Sequence, residues 1–114
     1  MPDRGKTMNE FVKRVSDFEG VGAEKFYKTT LFRAEALMLG LNCLEAGQIQ
    51  QPHVHDDQDK FYYVVNGNGR FWLGDEQVSA GEGDVVWAPA KLNHGVANET
   101  DQPLTLLVGI APAP

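Results

Sequence analysis

The stretch "QIQQPHVHDDQDKFYYVVNG", residues 48–67, combines a strand-like pattern with two histidines one residue apart. Its second half is rich in aromatic and β-branched residues, which favour strands. "NGNG" at 66–69 separates it from "RFWLG", and this arrangement predicts a β-hairpin. In a strand, residues i and i+2 point to the same face, so His53 and His55 can aim two imidazoles at one point. The stretch indicates either half of a metal site or two solvated imidazoles beside a turn.

Short apolar runs and turn residues alternate through the rest of the chain. We predict strands at about 25–33, 36–45 and 104–110, with Gly-rich turns between further short strands. "FVKRVSDF" at 11–18 fits an edge strand or a short helix, and we expect the strand. This pattern is typical of an all-β barrel or sandwich.

Length and charge exclude several classes of protein. The 114 residues predict one domain over 1–114, with a flexible tail at 1–10 and a core barrel at about 25–111. A net charge of -6 argues against binding to nucleic acid or to an anionic membrane. The single cysteine, Cys43, cannot form an internal disulfide and is expected to be a buried thiol. No signal sequence or membrane span is evident, so we expect a cytoplasmic protein.

The chain contains only three histidines, and the third, His94, lies 39 positions after His55. If a barrel brings it opposite the pair, three neutral imidazoles converge. Such a group suits Zn, Cu, Fe, Ni or Mn.

The spacing around these histidines resembles the two sequence motifs of the cupin superfamily. The first motif, G-x5-H-x-H-x3,4-E-x6-G, is matched by Gly47, His53, His55 and Gly67. The second, G-x5-P-x-G-x2-H-x3-N, is matched by Gly83, Pro89, His94 and Asn98. Fifteen residues separate the two motifs, and every histidine of the chain stands at a motif position.

The resemblance implies a double-stranded β-helix, or jelly-roll barrel, with His53, His55 and His94 on one divalent transition metal. It implies a metal-dependent oxygenase, isomerase or lyase acting on a small organic substrate. Two alternatives stay open: a non-catalytic module that binds or senses a metal or metabolite, and a metal-free sugar isomerase-like barrel. It further implies a homodimer, formed through the segment 11–33.

Two motif positions depart from the family pattern. Lys91 replaces a glycine, so the turn there must avoid a left-handed conformation or accept its cost. Lys60 replaces the glutamate that would ligate the metal. An ammonium about 5 Å from a divalent ion would repel it by roughly 6–7 kcal/mol at an effective dielectric of about 20.

Three outcomes for Lys60 follow. We expect first that it turns outward and pairs with Asp56, Asp57 or Asp59. A second outcome is that Asp59 or Gln58 becomes the fourth ligand, and the last is an inward Lys60 that loses its proton. Without a carboxylate ligand the centre would favour an anionic or chelating molecule, although the acidic stretch 56–59 is expected to flank the mouth and oppose highly anionic substrates.

Overall fold

The computed structural model describes residues 9–114 and has nine strands preceded by one turn of 3-10 helix, Val15–Asp17. The strands are β1 Tyr27–Arg33, β2 Met38–Leu44, β3 Ile49–His53, β4 Asp59–Asn66, β5 Asn68–Leu73, β6 Glu76–Gly81, β7 Val85–Ala88, β8 His94–Ala97 and β9 Leu104–Ala111. The expected N-terminal tail falls largely outside the described residues. Within the described part, no helix has the length and apolar character needed to cross a membrane.

The strands form two antiparallel sheets, in the orders β1-β2-β9-β4-β7 and β3-β8-β5-β6. Side chains from both sheets join in one buried cluster, which includes Tyr62, Phe71, Val96 and Leu106. The all-β prediction is therefore confirmed, and strands β1, β2 and β9 lie close to their predicted positions.

The predicted hairpin at 66–69 is wrong. β4 pairs with β7 and β9, whereas β5 pairs with β6 and β8, so the chain passes from one sheet to the other at this point. Gly67 allows the passage: its φ is +90°, and a β-carbon there would lie 2.4 Å from the carbonyl oxygen of Pro103. The turn residues mark a corner of the barrel.

The predicted strand at 11–18 is also wrong. The segment forms the 3-10 turn, and Val15 and Phe18 pack on a second small cluster that contains Leu31, Leu41 and Cys43. In a strand, positions 15 and 18 would point to opposite faces, whereas a 3-10 turn places residues three apart on one face. Partial burial of both side chains against this cluster therefore favours the turn.

One face of β4 points into the barrel. Tyr62 and Val64 are fully buried in the core, and Lys60 lies on the same face with 4% of its surface exposed. Phe61 and Tyr63 alternate with them and are more exposed. The inner face of β4 thus runs from the apolar core to a lysine, and a cavity of about 450 Å³ opens at that end.

Candidate metal centre

The three histidines meet where β3 and β8 pair. His53 ends β3 and is in register with His94, which begins β8, and His55 follows two residues after His53. One ring nitrogen from each of the three lies within 4.8 Å of the others. The structure therefore brings together the three residues that the spacing predicted, although 39 positions separate His55 from His94.

A glycine next to His94 allows this close approach. A β-carbon at Gly95 would lie 2.7 Å from both the Gln50 carbonyl oxygen and the Pro52 nitrogen. Pro52 is tolerated in β3 because β3 is an edge strand, where one side of the ladder is unpaired. Because position 95 has no side chain, β3 can approach β8 closely enough to place His53 beside His94.

Main-chain carbonyls fix two of the rings. Nδ1 of His53 donates to the Gln51 carbonyl oxygen at 2.9 Å, and Nδ1 of His94 donates to the Leu92 carbonyl oxygen at 3.0 Å. In a neutral imidazole with a protonated Nδ1, the lone pair is on Nε2. Such outer hydrogen bonds are those that hold metal-ligating histidines in place.

The Nε2 atoms fit a metal ion. Nε2 of His94 is buried and has no hydrogen-bond partner within residues 9–114. Nε2 of His53 lies 3.0 Å from Nε2 of His55, and two nitrogens each about 2.1 Å from one ion would be separated by about 3.0–3.4 Å. The donor set is thus three imidazole nitrogens with space for one common cation.

The surroundings of His55 and His94 favour the neutral imidazole that binds metals. Burial, followed by the nearby His53 and Lys60, lowers the pKa of His94 to about 4. Burial likewise lowers the pKa of His55, with smaller contributions from His53 and Lys60. Metal binding therefore needs no loss of a proton from these two rings at neutral pH.

The expected outward orientation of Lys60 is wrong. The side chain is buried and lines the cavity, with Nζ 4.6 Å from the ring centroid of Tyr62. The reason is the strand alternation, since Lys60 shares its face with Tyr62 and Val64. Burial, and then the positive charge of Lys28, lowers the pKa of Lys60 to about 8. This inward position is the least expected of the three outcomes.

The neighbours of Lys60 have other roles. Oδ1 of Asp59 accepts a hydrogen bond from the Ala90 nitrogen at 2.9 Å, and Asp59 is outside the histidine group. Nε2 of Gln58 donates to the Pro112 carbonyl oxygen at 3.1 Å, although Gln58 also lines the cavity. Asn98, the last residue of the second motif, has a structural role, because its amide donates to the carbonyl oxygens of Leu44 and Gln102.

Charges in the cavity are opposite to those of the chain as a whole. Three cationic side chains line it, from Lys28, Arg33 and Lys60, and no aspartate or glutamate of residues 9–114 does. The acidic stretch 56–59 contributes only Gln58 to the lining, although the negative charge of Asp57 acts on His55, which lines the cavity. Sequence reasoning missed Lys28 and Arg33, because nothing local indicates that β1 lies beside the histidines.

Known proteins with related sequences or structures agree with this architecture. The sequence model of the cupin domain matches residues 40–110. The uncharacterised protein SCO3923 of Streptomyces coelicolor is 33% identical over 82 residues, covering 70% of this chain and 74% of the relative. The crystal structure of TT1209 from Thermus thermophilus is 36% identical with a TM-score of 0.87, covering 90% of this chain and 98% of that one.

An RmlC-like cupin from Desulfovibrio desulfuricans is 27% identical with a TM-score of 0.77, and the match covers 89% of this chain and 95% of that one. Both the double-stranded β-helix and the family resemblance are thereby confirmed. The chain belongs to the cupin domain family.

Proposed function

We propose that this cupin is a metal-dependent enzyme in which His53, His55 and His94 hold one divalent transition ion. A small organic substrate would bind in the adjoining cavity. The observation that carries the proposal is the buried Nε2 of His94, which has no hydrogen-bond partner in residues 9–114 and lies among two other imidazole nitrogens. Leaving a buried polar atom unsatisfied costs about 1–3 kcal/mol, and a cation would remove that cost.

The protein contributes orientation, enclosure and charge to such a centre. A divalent ion held by three imidazoles keeps open coordination positions and supplies Lewis-acid chemistry or activation of water or dioxygen. The carbonyl oxygens of Gln51 and Leu92 hold two rings in place, so little reorganisation accompanies binding. Lys60, on the wall of the same cavity, adds a positive charge that would attract an anionic substrate and oppose the ion. These features support an oxygenase, isomerase or lyase.

A non-catalytic module that binds or senses a metabolite is the second candidate. It is favoured by one observation: among residues 9–114 no carboxylate side chain lines the cavity, so neither aspartate nor glutamate is available there as a general base. Oxygen uptake and product analysis across small diketones, thiols and phenols distinguish the two functions. Turnover of any of these substrates supports the enzyme, whereas binding without turnover supports the module.

Metal content tests the centre itself. In protein purified without added metal, we expect elemental analysis to find close to one equivalent of a transition metal per chain. His94→Asn should lose this metal, whereas Asn93→Ala, an exposed neighbour, should keep it. Less than about a tenth of an equivalent, with no thermal shift on adding Fe, Mn, Ni or Zn, would contradict the centre and leave a metal-free barrel.

A further inference from the structure

The separation of charge between cavity and chain is the starting observation. The chain has 16 acidic and 10 basic residues, yet the cavity is lined by three basic side chains and, within residues 9–114, by no acidic one. A concave site lined by one sign of charge focuses its field and raises the local concentration of the opposite ion. The cavity is therefore built to attract an anion.

Lys60 is the most buried of the three cations. It is 4% exposed, and residues 9–114 give its Nζ neither an ion pair nor a hydrogen bond. Nζ lies over the face of the Tyr62 ring. A cation over an aromatic ring recovers only about 0.5–2 kcal/mol. The Lys60 side chain is buried, but its Nζ is not among the fully buried polar atoms without a partner, so the ammonium faces the cavity, and partial loss of water around it agrees with the lowered pKa of Lys60. An anionic ligand would supply the missing partner.

The two ends of the cavity would then hold separate negative charges. His53 and His55 line it as well as Lys60, so one small molecule can contact both ends. A divalent ion on neutral imidazoles keeps a charge of about two, and Lys60 adds a third positive charge. A ligand with one carboxylate would leave most of this charge uncompensated, whereas two carboxylates balance much more of it.

Neutral groups in the lining complete the site. Oε1 of Gln50 accepts the Tyr62 hydroxyl hydrogen bond, which leaves the Gln50 amide nitrogen as a donor for a ligand oxygen. Thr30 and Asn42 also line the cavity and can bond hydroxyl or keto oxygens. A volume of about 450 Å³ suits a small metabolite.

We propose that this cavity binds a small dicarboxylate, with one carboxylate at the three-histidine centre and the other paired with Lys60. Lys28, which is exposed, lines the cavity and assists by charge, whereas the guanidinium of Arg33 donates a hydrogen bond to the oxygen of Pro114. The metal end of this arrangement rests on the proposed function. The pairing of the second carboxylate with Lys60 does not depend on a metal, because it follows from the position of Lys60 in the cavity wall.

Calorimetric titration of the metal-loaded protein with malonate, succinate and glutarate tests the proposal. We expect the best of them to bind at least about tenfold more tightly than its monoamide, and Lys60→Gln to abolish that preference. Lys60→Arg should recover part of the binding, and Lys28→Gln should weaken it by about threefold. The matched control is Lys25→Gln, an exposed lysine outside the cavity, which should change nothing.

Two results would overturn the proposal. One is binding by Lys60→Gln within about twofold of the wild type; the other is no binding of any of the three diacids at about 10 mM. Thermal unfolding of each variant shows that it is folded. Metal analysis of the same samples separates the two proposals: protein that takes up no metal but still binds a dicarboxylate through Lys60 would retain the anion site and reject the metal centre.

Discussion

Lys60 and Lys91 are neighbours in space with opposite surroundings. Asp59 accepts a hydrogen bond from the Ala90 nitrogen, and the Lys91 nitrogen donates to the His55 carbonyl oxygen at 2.7 Å. Lys60 is buried in the cavity with ordinary strand geometry, whereas Lys91 is exposed and has a φ of +70°. Each replaces the residue of the family motif. The first replacement changes the charge of the site, and the second changes only the strain of a turn.

The largest effect should come from reversing the charge at position 60. Lys60→Glu restores a carboxylate and removes a repelling ammonium, so we expect the affinity for Mn, Fe or Zn to rise by at least about 1000-fold, or about 4 kcal/mol. Competition with a chelator of known affinity measures it. Lys91→Glu, the same change on the exposed turn, should alter the affinity by less than about threefold. Equal changes in metal affinity for Lys60→Glu and Lys91→Glu would contradict the claim that the buried charge at position 60 acts on the ion.

The buried charge of Lys60 should also make stability depend on pH. Its pKa is about 8 in the folded chain and 10.5 as a free side chain, so folding opposes protonation. Lys28, His55 and His94 face the same charge. Below about pH 8 the group destabilises metal-free protein by about 3 kcal/mol, and this penalty fades as pH rises towards 10.5.

Lys60→Met should therefore stabilise metal-free protein by about 3 kcal/mol at pH 7, with the advantage shrinking from about pH 8 upward. Urea unfolding at a series of pH values measures the difference between the two proteins. Burial raises the pKa of Tyr62, so both proteins should lose stability above about pH 10, and only their difference reports on Lys60. A difference that does not vary with pH would contradict a buried ammonium.

The smallest effect should come from the turn. Lys91→Gly relieves a left-handed backbone conformation, and we expect a gain of about 0.5–1 kcal/mol in the free energy of unfolding with unchanged metal affinity. Lys91→Ala keeps the β-carbon and should give almost no gain, which separates backbone strain from loss of the lysine side chain. Equal gains from both variants would assign the effect to the side chain.

The features that sequence reasoning predicted correctly are those encoded locally or in a motif. Alternating apolar residues and frequent turns predict an all-β chain, and motif spacing predicts that His53, His55 and His94 meet. The segments 11–18 and 66–69 were mispredicted because local residue types do not determine which sheet or face receives the next segment.

The orientation of Lys60 was mispredicted for a related reason. Both faces of "KFYYVVN" carry large apolar residues, so alternation alone does not tell which face is inside. Lys28 and Arg33 were missed because β1 reaches the cavity through pairing with β2, which itself pairs with β9 far along the chain. Long-range register, rather than composition, determines the charge of the cavity.

The edge position of β3 has a consequence for how that strand is held in the sheet. β3 is paired on one side only, through a ladder whose register is broken between Gln50 and His53. An ion held by both His53 and His94, as proposed, would link β3 to β8 and stabilise their pairing. The outer side of β3 keeps unpaired backbone groups in either case, so it is an edge at which another strand could pair.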